Sequence, residues 1–172
     1  AGCIVLTQRV LATAFDPRTG YVGAVLLLGA PLFLVDASVF LPYVPTMFWN
    51  LAFAAAYLRA NRTGSRRVAA LAGLAIGIAF FSRPFTALLF ALPFVGHALW
   101  TMRTLERPTV KRQLLTAAGG LLGVLLTLSY NALLTGDPLL FPYEAFAPLD
   151  GLGFGRREIL GYARDYTLEL GV

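Results

Sequence analysis

Residues 68–100 form a run of 33 positions that holds a single permanent charge, Arg83. As one helix the run would be about 50 Å long, well beyond the roughly 30 Å of a bilayer core. Its middle reads Ser82-Arg83-Pro84. Proline lacks a backbone donor and disfavours α conformation at the residue before it, so the run is expected to break at Arg83. Basic clusters flank the run: Arg59, Arg62, Arg66 and Arg67 precede it, and Arg103, Arg107, Lys111 and Arg112 follow it. A single crossing would put the clusters on opposite sides of a membrane, against the positive-inside rule. A hairpin keeps both in the cytoplasm, with Arg83 at its outer apex.

Further apolar stretches lie at 1–14, 20–40, 43–59 and 114–134, and the break divides the long run into 68–82 and 84–100. The chain is 58% hydrophobic and 13% charged, with too little polar surface for a water-soluble domain and too much apolar residue for disorder. The expected fold is therefore all-α: a polytopic transmembrane helical bundle of about six membrane stretches, including the short hairpin broken at Arg83-Pro84. Residues 1–134 form the membrane region. An irregular outer segment, 135–172, rich in Gly, Pro and aromatic residues, is expected to carry interfacial pieces. The run 1–14 lacks a basic start and carries Gln8 and Arg9 mid-stretch, so it is read as the end of a transmembrane helix rather than a signal peptide. The chain is accordingly expected to be an internal piece of a longer protein.

The charge map agrees with this topology. Ten of the fourteen basic residues (positions 9, 18, 59, 62, 66, 67, 103, 107, 111 and 112) fall on the cytoplasmic side, with only Asp16 and Glu106 among the nine acids. The net charge of +5 is thus a membrane signal, and a nucleic-acid partner loses its main support. The sequon Asn61-Arg62-Thr63 falls in a cytoplasmic loop and is expected to stay unmodified. Asp16 and Pro17 suit the cap and first turn of the next helix. Small-residue ridges at Ala69, Gly73 and Gly77 and at Gly119 and Gly123 permit close helix approach within the bundle.

Candidate site residues are few. Arg83, a cation at membrane depth, has two readings: it binds a lipid phosphate bidentately, or it snorkels to the interface and pairs with an acid such as Asp36. Asp36, followed by Ser38 and Tyr43, either lines a polar cavity or marks the interface. Asn131, beside Tyr130, is a cavity wall or a helix cap. Arg156 and Arg157 follow the glycines at 151, 153 and 155, which make either an anion-binding nest or a turn over the membrane surface. That glycine run has no βαβ context, so a dinucleotide site is excluded. His97 is read as a packed or interfacial histidine. With one cysteine, Cys3, and one histidine, no Cys/His metal centre is expected, and no cofactor is predicted.

Several runs together resemble the middle of GT-C membrane glycosyltransferases, of the protein O-mannosyltransferase and aminoarabinose transferase-like type. They are PLFLVDAS at 31–38, a helix ending YLRA at 57–60, AGLAIGIAFFSRPFTAL at 72–88, YNALLTGDPLLFPY at 130–143 and Gly153-Phe154-Gly155-Arg156. The resemblance implies an inverting sugar transfer from a polyprenyl-phosphate sugar to an acceptor lipid, glycan or protein, on the outer face of a bacterial or archaeal membrane. It places the catalytic acid in an outer loop that would precede Ala1, so no catalytic residue is carried over. Arg83 matches the Arg-Pro at a helix break, where contact with the carrier phosphate is expected. A transporter or permease is the rival class, but it calls for a repeated broken helix. A non-catalytic membrane assembly protein is the third.

In a background without Cys3, single cysteines at positions 65 and 109 should react with an impermeant thiol reagent from the cytoplasmic side, and one at position 153 from the outside. Labelling of 65 and 109 from opposite sides would rule out the hairpin.

Overall fold

A computed structural model describes residues 1–39, 41–146, 155–159 and 162–167. Its helices are α1 (Gly2–Ala14), α2 (Pro17–Leu28), α3 (Pro31–Ser38), α4 (Tyr43–Thr63), α5 (Arg66–Ser82), α6 (Pro84–Met102), α7 (Arg107–Thr135) and α8 (Pro142–Phe146). Two strands follow, β1 (Gly155–Ile159) and β2 (Tyr162–Tyr166). The chain forms two compact units, Ala1–Leu125 and Leu126–Val172.

Local signals set the helix ends. The Asp16 carboxylate accepts from the backbone N–H of Arg18 at 2.8 Å and of Thr19 at 3.0 Å, and Pro17 opens α2. The Thr19 hydroxyl donates to the same carboxylate and, with the Thr19 amide, holds it below the usual carboxylate range. Gly64 closes α4 at φ +69°, a left-handed position that glycine adopts without steric cost, and the Ser65 hydroxyl accepts from Val68 N–H to start α5. Arg83 is extended (φ −148°, ψ 89°) between α5 and α6, and Pro84 takes the first position of α6. The break expected at Arg83 is present.

Side-chain contacts give the helix directions. The Thr46 hydroxyl lies 2.8 Å from that of Ser82, Tyr57 reaches Phe94 and His97, and Asn61 bonds Arg112 and Gln113. Along α4 the partners advance from the end of α5 to the far part of α6 and then to α7. Helices α4 and α6 are thus parallel, and α5 runs back between them. The two basic clusters meet at one end of the unit, and Arg83 stands at the other. Helix α1 is parallel to α4: Cys3 Sγ lies 3.7 Å from Val44 O, and Arg62 donates to Thr13 O.

The core of this unit gathers Phe53, Tyr57, Ala72 and Ala75, with Trp49, Ile76, Phe90 and Phe94 packed against them. Phe94 makes edge-to-face contacts with Phe53 and Tyr57 at 4.9 and 5.3 Å. On the other side of α5 the two small-residue ridges meet each other. A Cβ on Gly119 would lie 2.6 Å from the Gly73 backbone, and one on Gly77 would lie 2.8 Å from Gly119 O. Thr116 donates to Ala69 O at 3.1 Å along the same seam. The backbones touch because neither helix carries a side chain there.

The structure corrects the expectation of about six membrane stretches. Helices α6 and α7 are long and apolar enough to cross a bilayer, and the count rises to three if α2 and α3, bent by 60°, act as one span. Helix α1 has 13 residues and α5 has 17, about 20 and 25 Å against a core of about 30 Å. The stretch 20–40 divides at Gly29-Ala30-Pro31, where proline starts a new helix. Helix α4 has 21 residues but carries Asn50, Arg59, Asn61 and Arg62. The expected helical bundle is present, but the irregular segment is not wholly irregular. Strands β1 and β2 pair antiparallel, with Arg156 opposite Asp165, Arg157 opposite Arg164, and Ile159 opposite Tyr162.

The glycine seam gives a quantitative test. Gly119→Ala should lower stability by about 1–3 kcal/mol through overpacking against the Gly73 backbone. Gly96→Ala, with open space around the new methyl, should be neutral or gain up to about 1 kcal/mol of helix propensity. Thermal unfolding in detergent reads both.

Candidate functional site

The end of the first unit opposite the basic clusters is built around Arg83. Its guanidinium lies over the Tyr43 ring, 4.0 Å from the centroid. The contact depends on two prolines. Pro84 forces the break that turns Arg83 out of the helix, and Pro42 caps α4 so that Tyr43 is its first residue. The Thr46 hydroxyl, which donates to Pro42 O, lies 2.8 Å from Ser82 Oγ and ties the start of α4 to the end of α5. One turn further along α4, Asn50 is 3% exposed, and its Oδ1 has no partner among the described residues.

A cation–π contact of this kind uses the charge of the guanidinium without consuming its N–H donors. Among the described residues no ion pair joins Arg83 to Asp36. Beside Tyr43 lies a cavity of about 540 Å³, lined by Asp36, Ser38, Leu41, Pro42, Val44 and Pro45 among others. The α6 N-terminus adds the positive end of a helix dipole at Arg83. Together these features form an oriented cation with in-plane donors, next to a partly polar hollow at the end of an apolar bundle. Such an arrangement can hold an anionic oxygen at that level.

The structure brings Arg83 and Tyr43 together, with Asp36 in the adjoining cavity wall. Asn131 does something else: it is 1% exposed, and its amide donates to Pro138 O at 3.1 Å. With Thr135, whose hydroxyl bonds Asn131 O and Asp137 O, it fastens the turn that leaves α7 at Gly136. This is the capping arrangement. Arg156 is exposed on β1, and the residues between Pro148 and Gly155 lie outside the described residues. Arg157 sits across from Arg164 in the register of the hairpin. Among the described residues no group of three or more His, Cys, Asp or Glu gathers.

Sequence reasoning passed over two polar groups. The Thr46–Ser82 contact is one; its signal was a hydroxyl on α4 one turn above a buried asparagine. The other lies at the opposite end, where Asn61 Oδ1 accepts from Arg112 Nε at 3.2 Å and Gln113 Nε2 at 3.0 Å. Tyr57 OH lies 2.8 Å from His97 Nδ1 one turn away. In the sequence Asn61 stands out only as a sequon, and its spacing of four from Tyr57 on one helix face is the available clue. Comparison with known protein families, curated proteins and solved structures finds no match to this chain.

Thr46→Val should cost about 1 kcal/mol of stability, because it removes two hydroxyl contacts. Thr46→Ser should restore most of it. Thermal unfolding of the three proteins in detergent is the measurement.

Proposed function

We propose that this chain is part of an integral-membrane glycosyltransferase that moves a sugar from a polyprenyl-phosphate donor to an acceptor lipid, glycan or protein on the outer face of a bacterial or archaeal membrane. One observation carries the reading: Arg83 stands at a helix break, its guanidinium oriented by Tyr43, at the end of the bundle away from both basic clusters. The positive-inside rule turns the clusters to the cytoplasm and Arg83 to the outer leaflet, where a lipid-linked phosphate lies. Residues 135–172 are then extracytoplasmic.

The chemistry of such a transfer asks for charge stabilisation. As the acceptor displaces the carrier, the bond between the sugar's anomeric carbon and the phosphate oxygen breaks and negative charge builds on the leaving phosphate. A preorganised guanidinium beside that oxygen lowers the barrier more than it strengthens ground-state binding. Arg83 takes this role, and Tyr43 is its positioning residue. The Asp36 cavity gives room beside the phosphate for a polar group of the donor. No residue of this chain is assigned as the base.

A transporter is the second reading, and the bend between α2 and α3 favours it as a second broken helix. The two breaks differ in kind, however: α5 and α6 fold back on each other, whereas α2 and α3 bend by 60°. Inverted repeats would present matching breaks.

In the whole protein, Arg83→Ala should lower sugar transfer from a polyprenyl-phosphate donor by about 100-fold, the scale expected for losing one charge-stabilising donor. Arg83→Lys should recover only part of it, since an ammonium neither stacks nor forks in the same way. Thermal stability measured alongside should change little. Unchanged transfer kinetics in Arg83→Ala would remove the assignment.

A further inference from the structure

A second hollow of the first unit, almost wholly apolar, runs between α4, α5, α6 and α7 from near the break toward the other end. Its volume is about 350 Å³, within the range of small-molecule sites. The cause is visible in the packing. The glycine seam draws α7 against α5, and where α7 faces α6 it presents small residues, Ala117 and Gly120, instead of filling side chains. Phe53, Phe94 and Leu121 complete a lining that is almost wholly carbon. Leu88, Leu99, Leu114 and Leu121 are each more than half exposed along it, so the hollow is a groove open at the side.

One end of the groove is polar. Gln113 and Tyr57 line it there, and Gln113 bonds Asn61 and Thr101. Just beyond are the connection from α6 to α7 and the first turns of α7, which together carry Arg103, Arg107, Lys111 and Arg112 against one acid, Glu106. Arg103 lies 4.7 Å over the Trp100 ring, and Arg112 is held by Asn61. An apolar channel ending at a basic rim complements a molecule with a hydrocarbon chain and an anionic head. Basic pockets between helices on the cytoplasmic side bind anionic lipid headgroups by this logic.

We propose that this groove is a binding site for an anionic bilayer phospholipid, one acyl chain lying between α6 and α7 and its phosphate at the rim formed by Arg103, Arg107 and Lys111. The groove reaches back to Phe80 and Ala87, near the break, but its basic rim is at the opposite end of the unit from Arg83, and the proposal does not depend on the sugar-transfer reading.

The test uses the purified whole protein, stripped of lipid in a neutral detergent. Phosphatidylglycerol and phosphatidylcholine with the same palmitoyl and oleoyl chains are titrated in turn while the unfolding temperature is followed. Phosphatidylglycerol should raise Tm saturably, with half-saturation at least about tenfold lower than for phosphatidylcholine. The double substitution Arg103→Gln/Arg107→Gln, at exposed positions, should abolish that preference. Ala117→Trp, which fills the groove from an exposed position on α7, should weaken the response to both lipids. Arg83→Ala should leave the phosphatidylglycerol response intact, which separates this site from the one at the break. Equal half-saturation for the two lipids, a preference that survives the double substitution, or no shift at all because a second copy or another segment fills the groove would each overturn the proposal.

Discussion

The fold of residues 1–125 depends on one forbidden hydrogen bond. Pro84 has no N–H to continue α5, so the chain extends at Arg83 and restarts as α6 in the reverse direction. Without that reversal the residues before and after the long apolar run would lie at opposite ends. With it, Asn61 of α4 meets Arg112 and Gln113 of α7, and Tyr57 meets His97. The same break makes Arg83 the shared cap of both helices, its N–H on Ala79 O and its carbonyl accepting from Ala87 N–H, with its guanidinium over Tyr43. Chain reversal and cation placement therefore have one cause, a ring closed onto a backbone nitrogen.

Helix α4 is the element on which these contacts are arranged. Thr46, Asn50, Phe53, Tyr57 and Asn61 recur at spacings of three and four, so they share one face. That face is polar at its two ends and aromatic in the middle. Buried polar side chains in an apolar bundle are costly unless paired, and here Thr46 and Asn61 are paired across helices, while Asn50 Oδ1 has no partner among the described residues. The pairing fixes the height of α4 relative to its neighbours, which apolar packing alone does not do.

How much of this was readable in advance follows from the range of each signal. The cap at Asp16, the break at Arg83 and the glycine ridges are written in residues close together, and their consequences are steric. The number of spans was not readable from apolar runs, because hydrophobicity does not report helix length. Gly29-Ala30-Pro31 is apolar and ends a helix all the same, while Asn50 and Asn61 interrupt a run that still forms one helix. The strands at 155–166 were masked by the surrounding Gly, Pro and aromatic residues, although two five-residue segments flank a connection containing glycine. Arg83 stood out as the one permanent charge in a long apolar run. Its partner did not, because Tyr43 lies forty positions earlier and only tertiary packing brings the two together.

The glycine seam also governs how the unit can deform. Where two helices meet backbone to backbone, there are no side-chain rotamers to absorb a displacement, so α5 and α7 behave mechanically as one strut along 73–123. Helix α6 is attached differently, by a single extended residue at one end and by aromatic and hydroxyl contacts to α4 along its length. The groove is therefore bounded unequally, by a backbone seam that cannot repack on one side and by side chains with rotamers of their own on the other.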